Sequence, residues 1–252
     1  MARYKLTLAY DGSGFTGSQR QAKSRTVQGE LERALKKIGW EGRSVILSGR
    51  TDAGVHATGQ VASVDLAWSH SDEDLVRALN AILPEDIAVW SACVVDAKFH
   101  PRFDAVSRLY RYRLFCRPLR DPLRERFAWR VWTPVNGEIL ECAASYFLGT
   151  HDFSAFGSPT TPKGETVRTV SKAEWTQTDE DEWQFEVRAN AFLYRMVRRM
   201  VFVQVMAAQG KVPVEAIARS LAKQAAGRAR SELPAGLAPA HGLTLVEVEY
   251  PS

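Results

Sequence analysis

A glycine-spaced stretch at residues 49–60 constrains this chain more than any other part of its sequence. It reads Gly-Arg-Thr-Asp-Ala-Gly-Val-His-Ala-Thr-Gly-Gln, with a glycine at every fifth position. Apolar runs at 45–47 and 61–66 flank it and predict a strand–loop–strand connection. Glycines at this spacing let the backbone turn tightly and approach a ligand closely. We therefore expect Asp52 to project at a fixed angle, as a carboxylate must if it is to meet one atom of a substrate.

The familiar glycine-rich motifs fit this stretch badly. It lacks Gly-Lys-Ser/Thr, so it does not predict a loop that cradles phosphates. His56 and Asp52 are too few ligands for zinc or calcium, so no metal site is expected. A hairpin whose aspartate only caps its own turn would also suit these letters. Turn chemistry alone leaves the capping and the functional interpretations both open.

Composition sets the broad class of the chain. Its 252 residues are 45% hydrophobic and 10% aromatic, which suits one large domain or two small ones with a real core. The formal net charge of +4 permits a polyanionic partner without demanding one. Three cysteines without a Cys-x-x-Cys pair predict reduced thiols instead of a disulfide framework. With neither a signal peptide nor an apolar run of membrane-spanning length, we expect a soluble, cytoplasmic protein.

The predicted elements of the first part of the chain follow the order of a ferredoxin-like unit. Alternating residues predict a strand at 4–10, and an apolar stripe after Thr26 predicts a helix with that threonine as N-cap. A capping box at 71–74 opens a second helix, and residues 87–95 predict a buried strand. With the two strands around the glycine-spaced stretch, the order is strand, helix, strand, strand, helix, strand.

A second half follows, with the boundary placed between 1–104 and 105–252. Residues 111–114 faintly echo residues 3–6 of the first strand, which hints at a duplicated unit. The predicted elements of this half are a strand at 108–116, a helix at 140–148, a loop at 149–165, strands at 167–176 and 183–189, helices at 191–208 and 214–223, an irregular stretch at 224–242 and a closing strand at 243–250.

A basic stretch covers residues 98–130, where ten Lys or Arg stand against three acids. Charge concentrated this way is typical of contacts to a phosphate backbone, although a solvated strand edge would also carry it. The candidate RNA contacts are Arg102, Arg108 and Arg111. Period two places Tyr110 and Tyr112 on the strand face opposite Arg111. Aromatic side chains on such a face can stack on an unpaired base.

The helix predicted at 191–208 is apolar nearly all round, as buried helices are, yet it contains arginines. Arg198 has apolar residues three, four and seven positions later, so it lies within apolar surface and needs a partner for its charge. Asp52 is a candidate partner. Outward extension or a bound RNA phosphate would also satisfy Arg198. Arg199 has similar neighbours, so the pattern alone does not separate the two.

The glycine-spaced stretch resembles the signature of the TruA family of tRNA pseudouridine synthases. The similarity runs almost end to end through the blocks at 10–15, 80–89, 99–103, 107–112, 190–192, 196–198 and 238–243. Two positions depart from the family pattern. Ser18 stands where the family usually has Trp before Gln, and Phe202 stands where Val-Gly is expected. We interpret both as packing changes that do not touch the signature.

The resemblance implies a fold, an activity and partners. The implied fold is α+β, with two ferredoxin-like (RRM-like) halves that share an extended, mainly antiparallel sheet with helices on one side. The implied activity is isomerisation of uridine to pseudouridine in the anticodon arm of tRNA, at tRNA positions 38, 39 and 40. The family uses no cofactor and acts as a homodimer, so we expect a homodimer here.

The resemblance also implies roles for individual residues. Asp52 matches the catalytic aspartate, and Arg50 matches an arginine that assists base flipping. Tyr110 matches a tyrosine that packs on the target base, and Arg198 matches the arginine that pairs with the aspartate. The C1′–N1 bond must break, the uracil must rotate and C5 must bond to C1′, with no redox change. Whether Asp52 attacks C1′ or removes the 2′-proton stays open at this point.

Two other functions compete with this interpretation. A non-catalytic tRNA-binding protein could retain the fold, although binding alone would not require Asp52. A glycoside hydrolase would need a second carboxylate paired with Asp52, and none is evident in the sequence nearby. The basic stretch would also have no purpose in a hydrolase that acts on free sugars.

Overall fold

A computed structural model describes residues 1–161, 164–225 and 232–251. The chain divides into two compact units, the first made of Met1–Val106 with Thr244–Ser252 and the second of Ser107–Leu243. The elements in chain order are β1 (Ala2–Tyr10), α1 (Val27–Lys37), β2 (Ile46–Leu47), β3 (His56–Leu66), α2 (Asp72–Asn80), β4 (Ile87–Val95), β5 (Ser107–Cys116), β6 (Trp129–Val131), α3 (Gly137–Ser145), β7 (Gly149–Asp152), β8 (Val167–Asp179), β9 (Glu182–Ala189), α4 (Met196–Ala208), α5 (Glu215–Ala225) and β10 (Leu243–Glu249).

The first unit has the predicted strand and helix order. Strand β1 lies between β3 and β4 and is antiparallel to both. Its side chains alternate, and the buried ones are Tyr4, Leu6, Leu8 and Tyr10. Strand β2 pairs antiparallel with β3 near Ser63, so the predicted strand–loop–strand connection is confirmed. Strand β3 begins at His56, however, so residues 56–60 of the stretch belong to the strand and not to the loop.

The closing strand belongs to the first unit. Strand β10 runs parallel to β3, with Thr244 opposite His56 and Leu245 opposite Ala57. A boundary drawn in the sequence near residue 104 assigns every later residue to the second half. Strand pairing between residues this far apart in the chain explains the different grouping, because no local pattern encodes it.

Both helix starts predicted in the first unit are confirmed. The Thr26 hydroxyl accepts a hydrogen bond from the backbone N–H of Gly29 at 3.2 Å. Ser71 and Asp74 form the full capping box, in which each side chain bonds the backbone of the other residue. Such caps satisfy N–H groups that the first helical turn leaves without partners.

The second unit is built on a sheet in the order β5–β9–β8–β7, antiparallel throughout, with β6 parallel to β5. Helix α3 packs against α4 and β8. Three phenylalanines, Phe147, Phe153 and Phe156, are buried and contact one another with ring centroids 5.1 to 6.2 Å apart. The α+β class is therefore confirmed, with mainly antiparallel sheet in each unit and five α-helices among the described residues.

The sequence prediction for the second unit omits β6 and differs clearly from the structure at three further elements. Helix α4 begins at Met196 instead of residue 191, because Arg195 has a left-handed backbone with φ +63°. Strand β7 lies inside the region predicted as loop, where it pairs with the start of β8. Helix α3 begins earlier than predicted because Asn136 caps it by accepting from the Ile139 N–H at 3.1 Å.

The region predicted to be irregular at 224–242 is only partly described. Residues 226–231 lie outside the described residues, and 224 and 225 end α5. A single 3₁₀ turn, Ala240–Gly242, precedes β10. No helix among the described ranges is long and apolar enough to cross a membrane.

Candidate functional site

The loop between β2 and β3 holds Asp52 at a tight turn in the first unit. The Val55 N–H donates to the Asp52 carbonyl oxygen at 3.1 Å, which closes a four-residue turn. Gly54 in this turn has φ +79°, a conformation that favours glycine. Asp52 is half-buried, while its neighbour Thr51 is 6% exposed. The predicted tight turn at Asp52 is thus present, and the direction of its carboxylate stays a prediction.

Thr51 is anchored by three hydrogen bonds immediately before Asp52. Its backbone N–H donates to the Ser18 hydroxyl oxygen at 2.8 Å, and its carbonyl accepts from the Ser18 N–H at 3.1 Å. Its own hydroxyl lies 2.8 Å from the Tyr10 hydroxyl. Because all three bonds are internal, the backbone that leads into Asp52 is positioned without help from a substrate.

Gln60 supports the same loop from β3. Its Nε2 donates to the Gly49 carbonyl at 3.0 Å and to the Tyr10 hydroxyl at 3.3 Å. Its Oε1 accepts from the Ser48 hydroxyl at 2.7 Å. Gln60 is fully buried, so this network works at low dielectric, where satisfied polar groups rigidify a structure.

His56 also acts as scaffold in the described structure. The imidazole is 4% exposed, and its Nδ1 accepts a hydrogen bond from the Gly12 N–H at 3.0 Å. Gly12 itself packs against Val55 so closely that a Cβ there would overlap the Val55 carbonyl. The turn after β1 therefore supports the loop from a second side.

The interpretation of Ser18 as a packing change away from the signature is wrong. Ser18 is fully buried, and its hydroxyl accepts the Thr51 N–H beside the candidate catalytic residue. An indole N–H only donates hydrogen bonds, so a tryptophan here would leave the Thr51 N–H without this acceptor. The two residues lie 33 positions apart in the chain, which is why sequence pattern gave no sign of the bond.

Arg50 precedes Thr51 at the outer side of this loop. Its side chain is exposed, whereas Thr51 is buried. The loop therefore presents one exposed guanidinium and one half-buried carboxylate two residues apart. Together they form the first-unit part of the candidate site.

Two tyrosines of β5 in the second unit have different environments. The Tyr110 ring is half-buried and meets Phe192 edge to face, with centroids 5.0 Å apart at 85°. Tyr112 is fully buried, and its hydroxyl donates to the Pro239 carbonyl at 2.8 Å. Burial raises the pKa of Tyr112 well above its ordinary value, although the Arg198 charge offsets part of that effect. Only Tyr110 is accessible enough to contact a substrate base.

Arg198 and Arg199 of α4 both bind the segment that precedes β10. Arg198 Nε donates to the Ala238 carbonyl at 2.8 Å, and the Ala238 N–H donates back to the Arg198 carbonyl at 3.1 Å. Arg199 donates to the carbonyls of Pro234 and Gly236, and burial lowers its pKa. The structure thus gives Arg199 a structural role. The sequence pattern alone could not separate the roles of Arg198 and Arg199.

Phe202 behaves as the predicted packing change. Its ring covers Gly236, where a Cβ would overlap the aromatic atoms. Gly236 has φ +144°, so a glycine suits both the space and the backbone. The larger side chain on α4 is accommodated by the absence of a side chain opposite it.

The basic stretch at 98–130 is largely neutralised by acids. Arg111 pairs with Glu186 at 2.8 Å, and Arg113 pairs with Glu182 at 2.7 Å. Ion pairs are seen for six of its basic residues, namely Arg111, Arg113, Arg117, Arg120, Arg124 and Arg130. Four of these arginines pair with acidic residues at 181–186, whereas Arg120 and Arg130 pair with Glu125. The sequence pattern did not reveal the pairs with 181–186, so the positive footprint is smaller than expected. Among the candidate RNA contacts, Arg102 is exposed and Arg108 donates to the Asn190 carbonyl at 2.8 Å.

The described ranges contain no group of three or more His, Cys, Asp or Glu residues that could hold a metal ion. The three cysteines, Cys93, Cys116 and Cys142, form no disulfide.

Comparison with known proteins identifies one family and several relatives of similar length. The model of a family described as tRNA pseudouridine synthase matches residues 7–104 and 143–251. The tRNA pseudouridine synthase A of Limosilactobacillus fermentum is 41% identical over 100% of this chain and 97% of its own length. That of Methylacidiphilum infernorum is 43% identical over 98% of this chain and 95% of its own. A solved archaeal box H/ACA Nop10–Cbf5 complex matches 81% of this chain and 43% of its own at 12% identity, with a TM-score of 0.40.

Proposed function

The chain belongs to the tRNA pseudouridine synthase family, and from that premise we propose that it modifies the anticodon arm of tRNA with Asp52 as its catalytic carboxylate. Like its family, it is an isomerase that converts uridine in tRNA to pseudouridine. The proposed targets are uridines at tRNA positions 38, 39 and 40.

The observation that carries the role of Asp52 is the support of its loop. Thr51 is fixed by Ser18 and Tyr10, and the turn after Asp52 is closed by the Val55 N–H. A reacting group held this way loses little freedom when the substrate binds, which is the main advantage of a preorganised site. A turn that needed only a cap would not require this buried network.

The chemistry divides into three steps that balance without a redox partner. The C1′–N1 bond of the nucleoside breaks, the uracil rotates, and C5 bonds to C1′ while the C5 proton leaves and N1 gains one. A carboxylate beside the electron-poor sugar carbon acts either as a nucleophile toward C1′ or as a base toward the 2′-proton. Both routes use one ionised carboxylate at a fixed position.

Tyr110 is the proposed platform for the target uracil. Its ring is half-buried and contacts Phe192 edge to face. This contact fixes the orientation of the Tyr110 ring before the substrate binds. A flipped base gains stacking energy on such a ring, which offsets part of the unstacking cost of a few kcal/mol. The Tyr110 hydroxyl then assists removal of the C5 proton.

Two arginines complete the proposed site. In this proposal, Arg198 pairs with the Asp52 carboxylate through charge-assisted hydrogen bonds. The exposed Arg50 fills the space that the flipped base leaves. The Arg198 proposal predicts that Arg198→Gln lowers turnover, which the rate of pseudouridine formation measures.

The remaining partners are proposed from chemistry and family. Arg102, Arg108 and Arg111 contact tRNA phosphates, and Glu186 offsets part of the Arg111 charge. The protein works as a cytoplasmic homodimer, for which the exposed leucines Leu119 and Leu123 offer apolar surface. Sedimentation equilibrium checks this, because a monomer at working concentration would contradict the dimer.

The experiment that tests this function is tritium release from tRNA labelled at uracil C5. Wild type should release tritium, since C5 must lose its hydrogen to bond C1′. Asp52→Ala should lose at least about 10³-fold in rate, as removal of a catalytic carboxylate does, while tRNA binding is retained. The control is Glu73→Ala, an exposed acid on α2, which should release tritium like wild type.

Each outcome selects one function. Release by both wild type and Asp52→Ala would overturn the role of Asp52 and leave the reaction in place. No release by wild type on several tRNAs that it binds would indicate a binding protein. A tRNA with cytidine at positions 38, 39 and 40 should release nothing, and continued release from it would overturn only the assignment to these three positions.

A further inference from the structure

A polar cavity of about 440 Å³ lies in the second unit, outside the groups assigned above. The start of β8 and the residues that follow β9 contribute to its walls. Its polar lining includes Thr160, Thr161, Arg168, Thr169 and Asn190. Hydroxyl, amide and guanidinium groups therefore converge on one space.

Among the described side chains that line this cavity, Arg168 alone has a buried nitrogen without a hydrogen-bond partner. Its Nη1 donates to the carbonyl of the preceding Val167 at 2.6 Å. Its Nε is buried and has no hydrogen-bond partner among the described residues. Leaving a buried donor unsatisfied costs about 1–3 kcal/mol, so such groups in folded proteins need an explanation.

The Arg168 charge also lacks a paired acid within the described ranges. Burial lowers the pKa of the guanidinium, while Glu165 attracts it electrostatically. Glu165 is exposed, so water screens much of that attraction. An arginine stays charged even when half-buried, so a negative partner from outside the protein would stabilise it.

Asn190 is held in place beside this charge. Its Oδ1 accepts from the Thr169 N–H at 3.1 Å and from the Ala191 N–H at 2.8 Å. These two bonds fix the plane of the Asn190 amide. Neither of them involves the Nδ2 group at its other end. Ala191 also lines the cavity and is followed by Phe192, whose ring braces Tyr110 at 5.0 Å. Ala191 and Phe192 thus connect the cavity to Tyr110, the proposed platform for the uracil.

We propose that Arg168, Asn190 and the cavity that they line bind a phosphate group of the tRNA backbone close to the target nucleotide. The inference rests on the proposed function for the identity of the ligand. A guanidinium presents donors in a fork that matches two phosphate oxygens, and an amide N–H can reach a third. Such a contact positions the substrate without reading its sequence, which suits an enzyme that modifies several neighbouring positions.

The first test measures tRNA affinity against salt concentration for wild type, Arg168→Gln and Arg168→Lys. Arg168→Gln should weaken binding about tenfold and reduce the slope of log K against log salt by about 1, because one phosphate contact is lost. Arg168→Lys should keep the slope and lose several-fold in affinity, since a point charge cannot bind two oxygens at once. KM should rise in both variants with kcat nearly unchanged.

A matched control removes a positive charge elsewhere. Arg77 on α2 is exposed and paired with Asp74 on its own helix, so Arg77→Gln should change affinity less than about twofold. Near-ultraviolet circular dichroism checks that each variant folds. If Arg168→Gln fails to fold, Arg168→Lys decides the matter, and wild-type affinity in Arg168→Lys would overturn the proposal.

A second test uses inorganic phosphate and does not depend on tRNA. In protein labelled with ¹⁵N-arginine, the Nε–H resonance that disappears in Arg168→Lys should shift saturably as phosphate is added. If pseudouridine forms but this resonance and the salt slope do not respond, the phosphate site is wrong and the function stands. If the resonance shifts but wild type neither binds nor modifies tRNA, the site stands as a phosphate site and the proposed function fails.

Discussion

The Asp52 loop and the Arg168 cavity treat buried polar groups in opposite ways. Beneath the loop, Thr51 and Gln60 each use their side-chain and adjacent backbone groups in bonds to other parts of the first unit. In the cavity, Arg168 Nε has no partner among the described residues. The first arrangement is finished before any substrate arrives, and the second is completed only by a ligand. A satisfied network thus marks support for a reacting group, and an unsatisfied one marks a place where substrate binds.

Gly12→Ala should destabilise the support of the Asp52 loop more than any other substitution considered below. A methyl group at Gly12 would overlap the Val55 carbonyl, which is backbone and cannot rotate away. We expect the free energy of unfolding to fall by about 3 kcal/mol, as overpacking a buried contact does, with turnover falling as well. Chemical denaturation measures the change. Gly49→Ala is the control, because no described atom lies within 4 Å of the position that its Cβ would take, and it should fold like wild type within about 1 kcal/mol.

Tyr10→Phe should have the next largest effect. It removes the hydroxyl that contacts both Thr51 and Gln60, leaving polar groups of each without that partner in a buried site. The free energy of unfolding should fall by about 2 kcal/mol. An unchanged value would mean that water replaces the hydroxyl, and the loop network would then not be closed as described.

The same residue gives a pH dependence with a definite sign. Burial raises the pKa of Tyr10 above that of a tyrosine in the unfolded chain, which is about 10. The resulting stability is fully present below that unfolded pKa and is lost as pH rises through the folded pKa. The unfolding free energy of wild type should therefore decline more steeply above about pH 10 than that of Tyr10→Phe.

Ser18→Ala should have a smaller effect on stability and a specific effect on catalysis. The Thr51 N–H loses its acceptor, which should lower the free energy of unfolding by about 1 kcal/mol. Looser positioning of Asp52 should reduce kcat about tenfold while KM stays the same. Ser18→Cys keeps the shape with a weaker acceptor and should fall between. Ser13→Ala, at an exposed serine, is the control, and an equal loss there would remove Ser18 from this role.

Arg168→Met should have the smallest effect on stability. It thereby sharpens the contrast between the Asp52 loop and the Arg168 cavity. Replacing a half-buried charge by an apolar side chain of similar length removes an unsatisfied donor along with the charge. We expect the free energy of unfolding to stay within about 0.5 kcal/mol of wild type. A loss of several kcal/mol would show that the guanidinium has a structural partner in the folded protein.

Local patterns predicted much of this fold. Alternating residues gave β1, and an apolar run gave β4 with its observed bounds, Ile87–Val95. The prediction that β4 is buried was wrong, because only Ile87 and Val89 of this strand are buried. The caps at Thr26 and Ser71 were also visible, because an N-cap is a bond between residues three positions apart. Each of these features is decided within one helix turn or strand length. The sequence is sufficient wherever the deciding contact is that short.

The features that sequence did not reveal depend on contacts across long separations or on backbone handedness. Arg195 adopts φ +63°, which delays α4, and no side-chain periodicity encodes that choice. Ser18 reaches Thr51 across 33 residues. Arg111 meets Glu186 only because the register of β5 and β9 places them opposite each other. For the site, residues 49–60 identified the Asp52 loop, whereas Tyr10, Ser18 and Ser48, which complete its supporting network, lie outside the motif.

The parallel pairing of β10 with β3 has a consequence for how the protein is made. Residues 244 and 245 cover part of the β3 edge, yet a ribosome releases them after the whole second unit. At 5–20 residues per second, that interval is roughly 10 to 40 s after β3 emerges. Throughout it, the start of β3 presents strand edge to other nascent chains. The first unit is therefore synthesised first, but it is completed only after β10 has been made.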